Sequence, residues 1–285
     1  MIYNIVMIND SHMHSKVFSP DAEQTPEEII SGASALSLPF ITVTDHFDMD
    51  FPEDPAEWVF DLKEYGKSIP LWNLKSNSCK GPVILMGIEI GWQPHLKERI
   101  ENTAASLPFD SVILAQHLFR GEDIYGCDLL NHISRQERNK EYIGFMAKMC
   151  RQIDGFDIAA HYDYICRYVK DSDCKVYYRD CPEEFDDFFD ALISRGKALE
   201  INTGTVLKLK RRGIRDSMPD PEVIRRYLQM GGKIITMGSD AHSSENIAVN
   251  FEKTAAFLKS AGVEDIYYYI GHDPRPDPEY RKLFR

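Results

Sequence analysis

Short apolar segments alternate along this sequence with longer segments in which apolar residues recur at helical spacing. Apolar runs of about four to eight residues, rich in β-branched side chains, are typical of strands buried on both faces. Seven such segments predict strands at Tyr3–Ile8, Phe40–Thr44, Val83–Ile90, Ser111–Ala115, Phe156–Ala160, Ala198–Ile201 and Lys233–Met237. The intervening periodicity predicts helices at Thr25–Leu36, Asn131–Ile153, Glu183–Arg195, Pro221–Met230 and Ser244–Ala261. Strands that alternate with helices indicate an α/β fold with a parallel sheet.

Local signals support this division and place no boundary between domains. Thr25 followed by Pro26 is a typical helix start. The least regular stretch, residues 48–80, is expected to be a long excursion with a helix near Pro55–Tyr65. No Pro-, Gly- or Ser-rich linker divides the chain, so residues 1–285 are predicted to form a single domain.

Polar side chains that can bind metals lie at the ends of the predicted strands. Asp10, His12 and His14 are two residues apart, so in an extended chain their side chains point to the same side. The ends of the other predicted strands contain Asp45, His46, Glu89, His117, His161, Glu200, Asn202, Asp240 and His242. Six of the nine histidines occupy such positions. In a closed parallel barrel these ends share one rim, which is where such barrels have their active sites.

Each of these residues also has an ordinary structural explanation. A single histidine at a strand end is usually a surface or core group, and Asp45 or Asp240 could cap the segment that follows it. Glu89 is different because it lies within an apolar run, where a buried carboxylate needs a partner or a metal. The combined pattern on one rim favours a metal site.

Composition narrows the range of partners. The 285 residues have a formal charge of −12 and a pI near 5.2, which argues against general binding to nucleic acid or to a membrane surface. No apolar run approaches the roughly 20 residues that span a bilayer, and no signal-peptide pattern is evident. The six cysteines form no CxxC pair, so reduced thiols and a cytoplasmic location are expected.

The order of the polar groups resembles that of the PHP (polymerase and histidinol phosphatase) superfamily. The matching pattern is His12-x-His14, Asp45-His46, Glu89, His117, His161 and Asp240-x-His242. Two further segments, Phe18-Ser-Pro-Asp21 and Gly87-Ile-Glu-Ile-Gly91, are similar to those of the monofunctional histidinol-phosphate phosphatases within it. The resemblance implies a distorted (β/α)7 barrel with the active site at the carboxyl ends of the strands. It also implies three divalent metal ions, for which mixed nitrogen and oxygen ligands suit Zn, Fe or Mn.

The resemblance further implies how the ligands are divided. One ion would be held by His12, His14, Glu89 and Asp240. A second would share Glu89 and add His117 and His161, and a third would take Asp21, His46 and His242. Asp10 and Asp45 would orient imidazoles, the usual role of a carboxylate beside a ligand histidine. Three divalent ions and three carboxylates leave a net charge of about +3, which suits a phosphate dianion.

Candidate substrate contacts lie in the loops beyond these ligands. Arg167, six residues after His161, is expected to reach over the rim, because arginine suits bidentate recognition of phosphate. The family tends to have another arginine after the sixth strand, where this chain offers Lys208 together with Asn202. Arg120 departs from the family pattern in a stretch where substrate selection is expected.

The function implied by the resemblance is hydrolysis of a small phosphorylated substrate. The expected enzyme is a metal-dependent phosphomonoesterase of histidine biosynthesis that cleaves L-histidinol phosphate through a metal-activated hydroxide. An alternative is a phosphoesterase of the same superfamily for another phosphorylated metabolite or a nucleotide. An amidohydrolase-type barrel also opens with His-x-His, but it usually has eight strands and a bridging Lys or Glu on the fourth. An inactive binding module would not need every ligand position filled, as they are here. The sequence predicts no oligomeric state.

Overall fold

The computed structural model describes residues 8–284, which form a curled ten-stranded sheet, a small hairpin and surrounding helices. The described strands are Asp10–Met13 (β1), Phe40–Val43 (β2), His46–Phe47 (β3), Val83–Gly91 (β4), Ser111–Ala115 (β5), Leu118–Phe119 (β6), Glu122–Asp123 (β7), Ile158–Ala159 (β8), Ala198–Asn202 (β9), Ile235–Gly238 (β10), Tyr267–Ile270 (β11) and Asp273–Pro276 (β12). The described helices are Pro26–Ala35 (α1), Leu62–Ser78 (α2), Lys97–Ala104 (α3), Arg135–Gln152 (α4), Pro182–Ile193 (α5), Thr203–Arg211 (α6), Pro221–Gln229 (α7), Phe251–Ala261 (α8) and Pro278–Lys282 (α9). None of these helices is long and apolar enough to cross a membrane.

The sheet closes into a barrel of seven strand positions. Its order is β1-β2-β4-β5-β8-β9-β10-β11-β12, and β3 extends the β2 position by pairing with β4. The pairs from β1 through β11 are parallel, whereas β11 and β12 form an antiparallel hairpin. β10 returns to β1, where Met13 and Ala241 form a parallel bridge and the Asp240 N–H donates to the His12 carbonyl at 2.8 Å. The expected distorted (β/α)7 barrel is therefore confirmed, and its carboxyl strand ends share one rim.

The two faces of the strands pack in different surroundings. The barrel interior contains a small apolar cluster formed by Ile113, Ala115, Ile158, Ala160, Ala198 and Tyr269. Glu89 lies on the same face, because it is in register with Ile113 on the neighbouring strand. Val112 and Leu114 point the opposite way and belong to the main core. The side chain of Glu89 thus points into the barrel interior, as do the apolar side chains that fill it.

Most predicted strands agree with the structure. Six of the seven overlap β2, β4, β5, β8, β9 and β10. The predicted strand Tyr3–Ile8 lies outside the described residues except for Ile8. The described strand β1 begins only at Asp10, so Asp10 and His12 lie within a strand rather than after one.

The helix predictions were less accurate where backbone turns intervene. α1 begins as predicted, with Thr25 and Glu28 in a reciprocal capping box. The helix predicted near Pro55–Tyr65 is wrong in its bounds. The Asp61 side chain caps the amino end of α2, so the helix begins at Leu62 and continues to Ser78. The predicted helix 244–261 is divided, since Ala248 and Asn250 have φ angles of 51° and 60°. Helices α3, α6 and α9 and the hairpin β11–β12 were not predicted.

Candidate metal centre

The nine predicted metal ligands converge at the carboxyl rim of the barrel. They come from β1 and the loop after it (His12, His14, Asp21), from β3 (His46), from β4 (Glu89), and from the segments after β5 (His117), β8 (His161) and β10 (Asp240, His242). His161 and Asp240 have φ angles of 20° and 54°. Such conformations are costly for residues other than glycine and cluster at functional sites, where the surrounding structure holds them in place.

The first group of side chains combines two imidazoles and two carboxylates. His12 Nε2 lies 3.1 Å from His14 Nε2 and 3.4 Å from Glu89 Oε2. His14 Nε2 lies 3.0 Å from Asp240 Oδ1 and 3.7 Å from Glu89 Oε2. Four ligands at about 2.0–2.1 Å from a tetrahedral ion are about 3.4 Å from one another. These separations therefore suit one shared ion.

The second group uses the other oxygen of the same glutamate. Glu89 Oε1 lies 2.8 Å from His161 Nε2 and 3.4 Å from His117 Nε2. Oε1 of Glu89 thus faces His117 and His161, whereas Oε2 faces His12 and His14 and also lies 2.8 Å from His46 Nδ1. This is the arrangement needed for one carboxylate to bridge two ions.

The third group lies closer to solvent. Asp21 Oδ2 is 3.0 Å from His242 Nε2 and 3.7 Å from His46 Nε2, and the two Nε2 atoms are 3.4 Å apart. The rings of His46 and His14 stack with centroids 4.1 Å apart, which joins this group to the first. Asp21 is the most exposed of the nine, so this is the most accessible of the three groups.

Unpaired buried atoms support the view that these groups bind cations. Glu89 is 0% exposed, and its Oε2 atom accepts no hydrogen bond of good geometry among the described residues, although His46 Nδ1 lies 2.8 Å away. An unpaired buried carboxylate is strongly destabilising, whereas a metal ion compensates it. The Nε2 atoms of His12 and His14 also face each other, so at most one of them can hold the proton between them. The donor set of imidazole nitrogen and carboxylate oxygen fits divalent transition metals.

Buried carboxylates behind the ligands orient the imidazoles. His12 Nδ1 is 2.7 Å from Glu200 Oε1, and His117 Nδ1 is 2.7 Å from Asp48 Oδ1. A carboxylate at Nδ1 holds the proton there and leaves Nε2 free as a metal ligand. Gly238 is required beside this pair, because a Cβ atom at that position would collide with His12 and Glu200.

The electrostatics of the centre keep its carboxylates ionised. Burial alone would raise the pKa of Glu89, but the nearby imidazoles of His12, His117 and His46 hold that pKa well below its usual range. Burial would also raise the pKa of Asp240, whereas Arg167 and His12 lower it well below the usual value. The carboxylates therefore retain their negative charge although they are buried, and a cation would compensate that charge.

Arg167 lies beside this centre at the end of the 3-10 turn Tyr164–Arg167. Its Nε donates to Thr205 Oγ1 at 2.9 Å, and its Nη2 donates to Asn202 Oδ1 and Asp240 Oδ2, each at 2.8 Å. The guanidinium also stacks over the ring of Tyr164 at 4.8 Å. Burial would lower the pKa of Arg167, but Asp240 raises it above its usual value. Arg167 is thus a fixed positive charge, and within residues 8–284 its Nη1 has no hydrogen-bond partner.

The rim opens into a cleft of about 590 Å³. His46, His117, Asp240 and His242 form part of its floor, and Arg167 lines one side. A cavity of this size accommodates a small metabolite. The ligand groups and the arginine therefore face the same accessible space.

Comparison with known proteins assigns the fold and this arrangement to a family. The PHP domain model matches residues 10–204, which is more than half of the chain and includes seven of the nine predicted ligands. The chain belongs to the PHP domain family. The resemblance drawn from the sequence is thereby confirmed.

Individual relatives of this PHP chain cover nearly all of it. It is 28% identical over 262 residues to a probable histidinol-phosphatase from Clostridium acetobutylicum, spanning 92% of this chain and 97% of that protein. It is also 28% identical over 264 residues to a histidinol-phosphatase from Lactococcus lactis, spanning 92% and 94% respectively. The crystal structure of histidinol phosphate phosphatase from Lactococcus lactis, complexed with zinc, L-histidinol and phosphate, superposes with a TM-score of 0.82 at 26% identity, covering 94% of this chain and 98% of that one.

Asp10 and Asp45 have a different role in this PHP domain from the predicted one. Asp10 accepts from the backbone N–H groups of Ser239 and Ala248, each at 2.9 Å. Asp45 accepts from the Ser15 N–H and from two serine hydroxyls. Neither carboxylate contacts an imidazole directly, and Asp45 reaches one only through Ser19, whose Oγ donates to Asp45 at 2.8 Å and lies 3.4 Å from His14 Nδ1. Loop N–H groups without a strand partner need such acceptors. Burial raises the pKa of each to about 6.

Only some of the predicted substrate-binding residues lie at the cleft. Lys208 lines the cleft, and its Nζ lies 5.5 Å from the centre of the Tyr168 ring. Asn202 caps α6 and accepts from Arg167, so it acts through that arginine. Arg120 is not brought to the site, contrary to the prediction. The positive φ angles of Arg120 and Gly121 turn the β6–β7 hairpin, and Arg120 pairs with Glu141 on α4 instead.

The sequence did not predict the role of two functional side chains of the PHP domain. Glu200 and Asp48 orient ligand histidines, yet the sequence argument assigned that role to other carboxylates. A signal was present for Asp48, which is two residues after His46 and therefore on the same side of an extended chain. For Glu200 the partner is 188 residues away, and only the closed barrel brings the two together.

Proposed function

We propose that this protein is a metal-dependent phosphomonoesterase that hydrolyses L-histidinol phosphate to L-histidinol and phosphate. The single observation that supports it most is the array of nine side chains whose donor atoms lie 2.8–3.7 Å apart in three groups, with Glu89 in contact with histidines of all three. The relatives named above support the choice of substrate, since they are histidinol-phosphatases and one of them was crystallised with L-histidinol and phosphate.

The proposal includes three divalent ions. The first would be held by His12, His14, Glu89 and Asp240, the second by Glu89, His117 and His161, and the third by Asp21, His46 and His242. Divalent ions at such a centre lower the pKa of water and neutralise charge on phosphoryl oxygens. The chain's own contribution is to fix the ligands, since Glu200 and Asp48 hold the rings of His12 and His117.

Arg167 is the proposed phosphate-binding residue. Its Nε and Nη2 are occupied by Thr205, Asn202 and Asp240, so the guanidinium has little freedom to turn. Nη1 is left to donate to a phosphoryl oxygen, and a pre-oriented donor loses little entropy on binding. Asn202 contributes by holding Arg167 in place.

Lys208 is proposed to add positive potential at the same end of the cleft. Burial lowers its pKa, and the charges of Arg167, Arg211 and Arg212 lower it further. These mutual effects place four cations near one another. A phosphate dianion would be attracted to this end although the whole chain carries a formal charge of −12.

Two broader proposals follow from the described residues. One ten-stranded sheet connects Asp10 to Pro276, which supports the proposal that residues 1–285 form a single domain. All six cysteines are free thiols, which supports the proposed cytoplasmic location.

The test combines metal analysis with a substrate panel on the same sample. The purified protein is expected to contain about three divalent ions per chain and to lose activity with a chelator. Its kcat/KM for L-histidinol phosphate should exceed that for p-nitrophenyl phosphate by about a hundredfold or more. Preference for a nucleotide or for another phosphorylated metabolite would replace the substrate but keep the phosphoesterase. No release of phosphate from any ester would reject the function.

A further inference from the structure

Helix α6 ends in basic residues that do not share one environment. They are Lys208, Lys210, Arg211 and Arg212. Lys208 and Arg211 line the cleft, whereas Lys210 is exposed to solvent. Arg212 caps the carboxyl end of α6, is partly buried, and is not among the described residues that line the cleft. Its charge therefore has a different use from that of its neighbours.

The guanidinium of Arg212 is bonded to the backbone of the loop after β8. Its Nη1 donates to the Cys166 carbonyl at 2.8 Å and to the Arg167 carbonyl at 3.3 Å. Its Nη2 donates to the Val169 carbonyl and to the Asp171 carbonyl, the latter at 3.3 Å. All four acceptors lie at or just after the end of the 3-10 turn that contains Arg167. One side chain thus closes the carboxyl end of that turn.

These carbonyls need donors from another element. The last carbonyls of a helical turn have no partner within the turn, and a basic side chain is one of the groups that satisfies them. Residues 168–171 form neither helix nor strand, so no regular set of backbone bonds fixes them. A guanidinium suits this place because its five N–H groups lie in one plane and can bond several carbonyls at once.

The same helix holds the side chain of Arg167 at its other end. Asn202, the N-cap of α6, accepts from Arg167 Nη2 at 2.8 Å, and Thr205 in its first turn accepts from Arg167 Nε at 2.9 Å. The nine residues of α6 extend over roughly 13 Å. Arg167 is thus held by its guanidinium at the amino end of α6 and by its backbone at the carboxyl end, through Arg212.

We propose that Arg212 is a positioning residue that acts through Arg167 and thereby strengthens the binding of phosphate. This inference rests on the proposed function, because it takes Arg167 as the phosphate-binding residue. A donor that is fixed before its ligand arrives loses little entropy on binding. Release of the backbone at residues 166–171 would let the guanidinium leave its position, and small displacements of such a group lower the rate strongly.

The kinetic test places Arg212 variants in two backgrounds. Arg212→Ala and Arg212→Lys are made in the wild type and in Arg167→Ala. Lys210→Ala is the matched control, because it removes an exposed cation from the same end of α6. Release of phosphate from p-nitrophenyl phosphate gives kcat and KM, and inhibition by inorganic phosphate gives its Ki. Metal content and circular dichroism are measured on each preparation.

In the wild-type background, Arg212→Ala is expected to lower kcat/KM and to raise the Ki of phosphate, each about tenfold. In the Arg167→Ala background the same change should alter both by less than about twofold, because the group to be positioned is gone. Arg212→Lys should recover part of the loss, and Lys210→Ala should stay within about twofold of the wild type. An equal loss in both backgrounds, or no loss in the wild type, would overturn the inference.

A second readout does not depend on activity. Arg167 Nε donates to Thr205 in a buried position, so its N–H resonance should exchange slowly with water, and its absence in Arg167→Ala identifies it. Arg212→Ala should speed this exchange about tenfold or more, and Arg212→Lys by less, whereas Lys210→Ala should leave it unchanged. Unchanged exchange in Arg212→Ala would reject the positioning role, as would unchanged exchange in Arg212→Lys if Arg212→Ala does not fold.

Failure of the proposed function gives a different result. A wild-type protein that releases no phosphate from any ester would reject that function, while the exchange of the Arg167 Nε–H would still decide whether Arg212 positions Arg167. A wild-type protein that cleaves p-nitrophenyl phosphate but not L-histidinol phosphate would change the substrate and leave both readouts valid.

Discussion

The two ends of the barrel both contain buried carboxylates, but these carboxylates have different partners. At the amino end, Asp157 Oδ2 accepts from the Val112 N–H and lies 2.8 Å from His272 Nδ1. At the carboxyl end, Glu89 lies within 3.7 Å of five imidazoles, and among residues 8–284 none of them makes a hydrogen bond of good geometry to its Oε2 atom. A pair of Asp and His at a strand end is therefore no evidence of a metal site. The distinguishing feature is a set of ring nitrogens that point at one another.

The comparison separates stability from function. Carboxylates at the amino end satisfy backbone N–H groups, as Asp277 does for Asn9 at 2.9 Å, so their removal should weaken the fold. The ligand cluster at the carboxyl end instead gathers buried carboxylates and several imidazole nitrogens around shared points, which is costly for the metal-free protein. Substitutions at the amino end should thus lower stability and leave activity unchanged, whereas substitutions at the carboxyl end should lower activity and leave the fold intact.

The largest effect is expected from His14→Ala. The change removes a ligand of the first group, so phosphate release should fall by more than about a hundredfold, beyond what the loss of an orienting residue costs. Asp240→Asn should behave in the same way. Phosphate release and metal content are measured together, with circular dichroism to verify the fold. His95→Ala, which changes an exposed histidine, is the matched control. Full turnover by His14→Ala would show that the ligand assignment is incorrect.

A smaller loss is expected from Glu200→Ala. Glu200 holds the His12 ring through Nδ1 and accepts from the His161 N–H at 2.7 Å, so metal affinity or activity should fall about 10- to 100-fold. Glu200→Gln should recover part of this loss, because an amide oxygen can still accept from the ring N–H. Metal affinity is measured by competition with a chromophoric chelator. Equal behaviour of the Ala and Gln variants would argue against an orienting role.

The sequence was informative where a local pattern determines the structure. The apolar runs that predict β4 and β5 are buried on both faces, as the structure has them. The two-residue spacing of His12 and His14 brings both imidazoles into the same group. Such features depend on neighbours within a strand, so a single sequence contains them.

Roles that depend on distant partners could not be read in this way. Asp10 and Glu200 are both buried carboxylates on strands, yet one binds the N–H of Ser239 and the other binds an imidazole. Those partners lie 229 and 188 residues away in the chain. The direction of Arg120 is likewise set by a tight turn and by Glu141 on another element. Closure of the barrel, rather than any local signal, decides these contacts.

At the amino end, Asp157→Ala tests the structural half of the comparison. The change leaves the buried Val112 N–H without its acceptor, so the free energy of unfolding should fall by about 2 kcal/mol. The activity of each folded molecule should be unchanged, because Asp157 is on the far side of the barrel from the cleft. Urea unfolding and phosphate release are measured on the same preparation. A loss of activity at unchanged stability would contradict the division between the two ends.

The smallest effect is expected from Arg120→Ala. This variant tests whether the β6–β7 hairpin is part of the site. Arg120 pairs with Glu141 at the surface and does not line the cleft, so kcat/KM for p-nitrophenyl phosphate should change by less than about twofold. Arg167→Ala is the matched comparison and should lose about tenfold or more, because its guanidinium faces the cleft beside Asp240. p-Nitrophenyl phosphate shares only its phosphate group with the proposed substrate, so this pair of variants reports on phosphate binding alone. Equal losses in the two variants would indicate that phosphate binds near the β6–β7 hairpin and that the assignment to Arg167 alone is incorrect.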